Sequence, residues 1–225
     1  MEFPKPSMDE LVTNSVLRHG PVGSVGPIVQ QRRELGFFTP EEFYESVIDR
    51  LVRPSTTWLD VGCGRDLLPM NARLAEVLST RCRNLVGVDP SHNIFQNPFV
   101  HSAFQATIEC FEPRTLFDLV TLRMVAEHIE DPQLCMDALR RLTKPGGVVV
   151  IYTPYKYSPT SLAASVVPNS AHHSLKRRLW STEECDTFPT HYRLNTARAL
   201  RRSFHFAGFS EVCNWYLDDA SIFHA

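Results

Sequence analysis

From Thr56 to Thr153 the chain alternates short, unbroken apolar runs with stretches of helical spacing, and nothing else in the sequence constrains its fold as tightly. The runs fall at 57–61, 84–88, 103–108, 117–122 and 148–153. A strand with one wet face alternates apolar and polar residues; a strand buried on both faces does not. Runs such as Leu85-Val86-Gly87-Val88 and Val148-Val149-Val150-Ile151 therefore belong in a mostly parallel sheet with helices on both faces. Strands and helices taken in turn build a doubly wound α/β fold rather than a sandwich. Between the last two runs, Asp131 caps and Pro132 opens a helix whose Cys135, Ala138, Leu139 and Leu142 share a face, and Lys144-Pro145-Gly146-Gly147 ends it.

On either side the signals differ. Thr39-Pro40-Glu41-Glu42 combines a capping threonine, a proline at the first helical position and a glutamate completing a capping box; Tyr44, Val47, Ile48 and Leu51 then form an apolar face. Residues 1–38 carry Pro4, Pro6, Gly20, Pro21, Gly23, Gly26 and Pro27, which interrupt any period, and they read as an irregular N-terminal arm. That leaves 39–225 as a single domain. Past Pro154 come a Tyr-, Pro- and Ser-rich stretch, the cluster His172 to Trp180, and a second capping box at Ser181 and Glu184. A helix follows from Thr196, with Ala197, Leu200, Phe204 and Ala207 on one face and Gly208 as its stop. Residues 209–217 read as a last strand.

Composition narrows the function classes. Lys plus Arg number 23 against 25 Asp plus Glu, a formal net charge of −2, so no global field draws in nucleic acid or an anionic membrane. The six cysteines form no Cys-x-x-Cys pair and no ligand spacing with histidine, so no metal is expected and free thiols in a reducing cytoplasm are. His172-His173 does not change this, because adjacent residues on a helix diverge. Neither a leader nor an apolar window of ~18 residues is present, which points to a cytoplasmic chain with no membrane span. The basic groups at 176–178 and at Arg198, Arg201 and Arg202 read as solvated faces.

The chemistry concentrates at Trp58-Leu59-Asp60-Val61-Gly62-Cys63-Gly64-Arg65-Asp66, a buried strand entering a glycine turn, with a helix expected from near Leu67. Glycines there let backbone approach a ligand that a Cβ would repel. Cys63 reads as small filler, since nothing nearby in sequence would activate its thiol. The next strand ends in Asp89, placed to accept both hydroxyls of a ribose, so an adenosine-type ligand is expected. A pyrophosphate wants a third glycine and a helix start free of negative charge. Position 67 is leucine and Asp66 is acidic, which suits the cationic groups of S-adenosylmethionine better than NAD.

With these residues in place, the chain resembles a class I S-adenosylmethionine-dependent methyltransferase of the broad small-molecule group. The matching stretches are WLDVGCG (58–64), VGVDPS (86–91), FDLVTLRMVAEHIEDP (117–132) and LRRLTKPGGVVVIYTP (139–154). The resemblance implies a Rossmann-like sheet of order 3-2-1-4-5-7-6, with S-adenosylmethionine as cofactor and S-adenosylhomocysteine as product. It also implies methyl transfer to an oxygen or nitrogen of a small molecule such as a natural product, sugar or lipid-like acceptor.

Carried over, it puts Asp60, Gly62, Cys63 and Gly64 around the methionine moiety and Asp89 at the ribose; Asp66, by its charge beside the cationic groups, and Pro90, next to Asp89, complete the expected cofactor contacts. Thr107, Ile108 and Glu109 fall beside the adenine, where Thr107 replaces the usual acid and leaves a backbone contact. Arg123 matches the position facing the sulfonium, and a cation there points to the methionine carboxylate or to an anionic acceptor. A hydroxyl acceptor needs a base; His128 and, from a lid at 155–195, His172 and His173 are the candidates, with His191 and Tyr192 beside them. Relatives close the sheet with a terminal hairpin, whereas only 218–225 follow the last expected strand. A sheet one strand short, a strand drawn from 155–168, and a homodimer are the resulting expectations. The alternatives are a cofactor-binding protein without catalysis and an NAD(P)-dependent oxidoreductase.

Overall fold

A computed structural model describes residues 3–158 and 188–217. The helices are α1 (Met8–His19), α2 (Pro27–Glu34), α3 (Pro40–Leu51), α4 (Ala72–Arg81), α5 (Pro132–Leu142) and α6 (Ala197–Phe206). The strands are β1 (Thr57–Val61), β2 (Asn84–Asp89), β3 (Ser102–Gln105), β4 (Phe117–Arg123) and β5 (Thr143–Tyr152). They form one five-stranded sheet of order β3-β2-β1-β4-β5, with every pair parallel. The Rossmann-like reading holds.

The unbroken apolar runs are explained by what lies on each face. Trp58, Leu85 and Leu119, aligned across β1, β2 and β4, pack with Tyr44, Ile48, Leu74 and Leu78 of α3 and α4. Leu59, Val61, Val86, Val88, Val120 and Leu122 point the other way, against Cys135, Met136 and Leu139 of α5. Each central strand thus feeds two cores.

The predicted caps are in place: Thr39 and Glu42 form the capping box of α3, Asp131 caps α5 and Thr196 caps α6. The box expected at Ser181 lies outside the described residues. Other expectations need correction. The segment 1–38 is not an irregular arm, because its prolines and glycines flank α1 and α2 rather than interrupt them. Its packing combines the buried Leu11 and Phe38 with polar ties: Asn14 Nδ2 donates to Ser46 Oγ (3.1 Å), Arg33 Nε to Ser15 Oγ (2.9 Å), and Arg50 Nε and Nη2 to the Glu10 carboxylate (2.9 and 2.5 Å). The guanidinium of Arg50 and the Ser7 cap hold the Glu10 carboxyl down at about 2.

The helix expected from Leu67 starts at Ala72, capped by Asn71. Leu67 and Leu68 are buried in a turn, and Pro69 bars the residue before it from helical geometry. β3 ends at Gln105 because 107–110 turn back, with the amide of Cys110 donating to the Thr107 carbonyl and Ile108 filling the core. β5 starts early, at Thr143 opposite Phe117, and a bulge carries it to Val148 opposite Leu119. Residues 209–217 are not a strand: Phe209 meets Phe204 edge to face (5.3 Å) and Glu211 pairs with Arg201 (2.7 Å), so the segment starts by folding back on α6, while Trp215 and Tyr216 reach Phe3 and Tyr155. Among the described residues the sheet ends at β5, and no helix is long and apolar enough to cross a membrane.

Candidate active site

The chain order reverses between β1 and β4, and sheets of this kind bind ligands in a crevice at such a switch point, outside the carboxyl ends of the central strands. The glycine turn after β1 lines it. Gly62 has φ +68 and donates its amide to the Val88 carbonyl (2.7 Å); a Cβ there would lie 2.3 Å from Val125 Cγ2. Gly64, with φ +50, has no described residue within 4 Å of the place a Cβ would take. Two glycines of one turn thus answer to different demands, one to packing and one to open space.

Asp89, at the end of β2, ties the turn down. Its Oδ2 accepts from the Gly64 amide (2.9 Å) and its Oδ1 from the Ser91 amide (2.7 Å). Asn97 completes the tie by donating to the Gly64 carbonyl (3.2 Å). Sequence reasoning missed Asn97; the Asn97-Pro98 dipeptide, a turn signal, was the clue available. Pro90 continues from Asp89, and its carbonyl accepts from Gln105 (3.1 Å). Thr107 is exposed and Glu109 half-buried past the end of β3, where the Ala106 amide donates to the Asp89 carbonyl (3.0 Å).

Asp60 is buried beneath the crevice. Trp58 Nε1 donates to Thr121 Oγ1 (2.7 Å), which donates to Asp60 Oδ1 (2.5 Å). Burial raises the Asp60 carboxyl to about 7, against the Thr121 hydrogen bond and the charge of Arg123, and the charge of Asp89 adds to the rise. Thr121, the lone hydroxyl in an apolar run, is another functional residue missed from sequence. Cys63 is buried, and desolvation with the two carboxylates pushes its thiol far up, so it is inert filler.

Asp66 is half-buried in the turn, away from the helix start it was expected to occupy. Its charge therefore does not guard that start. Asn71 does the same work: 2% exposed, it caps the Leu74 amide (3.2 Å) and donates to Glu45 Oε2 (2.9 Å), closing the α4 N-terminus to a pyrophosphate.

On the other side of the crevice, Arg123 ends β4 and pairs with Glu41 Oε1 (3.4 Å). Met124 follows in the left-handed region at φ 55, and Ala126–His128 forms a 3-10 turn. His128 Nδ1 lies 2.9 Å from the Pro189 carbonyl. The amides of His191 and Tyr192 both donate to the Glu127 carbonyl, at 2.7 and 3.1 Å. Their backbone therefore meets the turn that carries His128. His172 and His173 lie outside the described residues. Among the described residues no cluster of three or more His, Cys, Asp or Glu could hold a metal.

A family model described as a methyltransferase domain matches residues 33–214. The chain belongs to the methyltransferase-domain family. Among curated relatives of this methyltransferase-family chain, the ubiquinone biosynthesis O-methyltransferase of Alkalilimnicola ehrlichii is 37% identical over 107 residues, covering 42% of this chain and 40% of that relative. The protein of the same description from Xanthomonas oryzae pv. oryzae is 32% identical over 128 residues, covering 51% and 53%. The match thus spans about half or less of those relatives' length. A solved structure titled as a methyltransferase of Thermotoga maritima, a possible histamine N-methyltransferase, superposes with a TM-score of 0.49 at 17% identity, covering 76% of this chain and 73% of that one.

Proposed function

We propose that this protein binds S-adenosylmethionine at the carboxyl ends of β1 and β2 and transfers its methyl group to an oxygen of a small-molecule acceptor. The observation that carries the reading is the Gly62–Gly64 turn, tied to the Asp89 carboxylate and left open at Gly64. When bound, the cofactor supplies a methyl group on an electrophilic sulfonium. In this reading the Asp89 carboxylate, held at the end of β2 by the Gly64 and Ser91 amides, takes the two ribose hydroxyls. Asp60 and Asp66 provide negative charge for the cationic end, with Gly62, Cys63 and Gly64 as its floor. Pro90 borders the ribose, and Thr107, Ile108 and Glu109 border the adenine through their backbone. Arg123, balanced by Glu41, serves the methionine carboxylate or an anionic acceptor.

Alignment does most of the work in such a transfer, and a hydroxyl acceptor adds the need for a base. His128 fills that role in this reading. Oxygen is preferred to nitrogen because the curated relatives above are described as O-methyltransferases. The test is turnover with methyl-labelled S-adenosylmethionine against a panel of phenols, catechols, sugars and amines. Label is expected in hydroxyl-bearing members, with S-adenosylhomocysteine released in equal amount. Cofactor binding with no label transferred to any member would instead make the chain a binding protein.

A further inference from the structure

Residues 188–195 return to the sheet as a short strap, and the bonds that hold it converge on the turn carrying the proposed base. The His191 and Tyr192 amides donate to the Glu127 carbonyl (2.7 and 3.1 Å), Arg193 to the Glu130 carbonyl, and the Lys156 amide to the Asn195 carbonyl (2.9 Å). Leu194 is buried in the core. A second, side-chain set is directional. Asn195 Nδ2 donates to both the Pro154 carbonyl (3.1 Å) and Thr153 Oγ1 (2.5 Å). Because the carbonyl only accepts, the amide nitrogen must face this way. Thr153 then accepts from Asn195 and spends its one proton on Glu127 Oε2 (2.8 Å).

Docking carries visible costs. Tyr192 sits at φ 51, in the left-handed region, and Asn195 Oδ1 is buried with no partner among the described residues. Such strain persists only where the surroundings over-determine it, and it gathers at functional sites. What the docked strap delivers is the Pro189 carbonyl, 2.9 Å from His128 Nδ1, with Phe188 edge-on to the ring at 6.2 Å. A carbonyl facing Nδ1 requires the proton there, and in the neutral ring it leaves the lone pair on Nε2.

We infer that Asn195, Thr153 and Glu127 are positioning residues: their relay docks the strap, and the strap fixes His128 as the Nδ1–H tautomer with Nε2 free to accept a proton. The inference rests on His128 as the base, but its test needs no methyl transfer, so the two can fail separately. Nitrogen NMR of the full chain with 15N-labelled histidine, the His128 signals identified by their loss in His128→Gln, is expected to show Nδ1 protonated and Nε2 bare at high pH. Asn195→Ala and Thr153→Val are expected to lose that single form and give a tautomer mixture, while Thr153→Ser, which keeps the hydroxyl, retains it. Circular dichroism selects folded variants, and the near-isosteric Thr153→Val stands if Asn195→Ala does not fold. A wild-type ring protonated at Nε2, or an Nδ1–H form that survives in a folded Asn195→Ala or Thr153→Val, overturns the inference.

Discussion

Gly62→Ala is expected to lower stability by ~2–5 kcal/mol, while Gly64→Ala costs only ~1–2 kcal/mol of stability yet weakens S-adenosylmethionine binding at least ~10-fold. Both glycines occupy the left-handed region, at φ +68 and +50, so each substitution incurs the backbone cost. They part company on space. An alanine Cβ at 62 would lie 2.3 Å from Val125 Cγ2, and Val125 leads into the Ala126–His128 turn, so relief of the clash displaces the opposite wall of the crevice. At 64 the added methyl meets no atom of the described residues within 4 Å; it stands where the ligand is to approach. Thermal unfolding and calorimetric titration of both variants separate the two effects. Adding Val125→Ala to Gly62→Ala restores the packing part of the loss and not the backbone part. A Gly64→Ala protein that binds the cofactor as the wild type does would remove the glycine turn from the site.

The second large effect is at Asp60. Burial raises its carboxyl from 3.8 to about 7, so ionisation is disfavoured in the folded chain. The sign follows directly: the unfolded chain ionises first, so stability falls as pH rises from about 4 to 7 and then levels. The rise corresponds to ~4 kcal/mol at its upper limit. Asp60→Asn keeps the acceptor for the Thr121 hydroxyl and removes the buried charge. It is expected to raise the unfolding temperature at pH 8 by ~5 °C or more and to leave it nearly unchanged at pH 4. Binding moves the other way. A cationic ligand favours the ionised carboxylate, so wild-type affinity for S-adenosylmethionine rises with pH through about 7, and the variant binds roughly 10–100-fold more weakly with a flatter profile. Equal unfolding temperatures at pH 8, or a wild-type affinity that falls with pH, would count against a buried, ligand-facing charge at Asp60.

The sheet was legible because its signals are local and strong. Runs buried on both faces fixed β1, β2 and β4 within a residue, and Thr39, Asp131 and Thr196 announced their helices through caps. That the Gly62–Gly64 turn meets Asp89 could be read because paired strands β1 and β2 bring the turn and the acidic strand end to the same edge. What stayed hidden is held by contacts distant in sequence. α1 and α2 dock through arginine and asparagine side chains beside the buried Leu11, and their flanking glycines and prolines read as breaks, although Ser7 and Glu10 form a capping box that marks the start of α1. Leu67 looked like a helix start because it is apolar, yet its burial and Pro69 make it a core plug in a turn. Thr121 became informative only through Trp58, and Asn195 only through Thr153 and Glu127, partners that no spacing rule brings together.

The central claim is that the crevice between β1 and β4 takes S-adenosylmethionine through Asp89 and the glycine turn. Calorimetric titration of the full chain with S-adenosylmethionine, S-adenosylhomocysteine and NAD, repeated on Asp89→Ala, tests it most directly. Saturable binding of the first two but not of NAD, lost in a folded Asp89→Ala, is the predicted result. Binding of NAD with no heat from either adenosyl sulfur compound would contradict it.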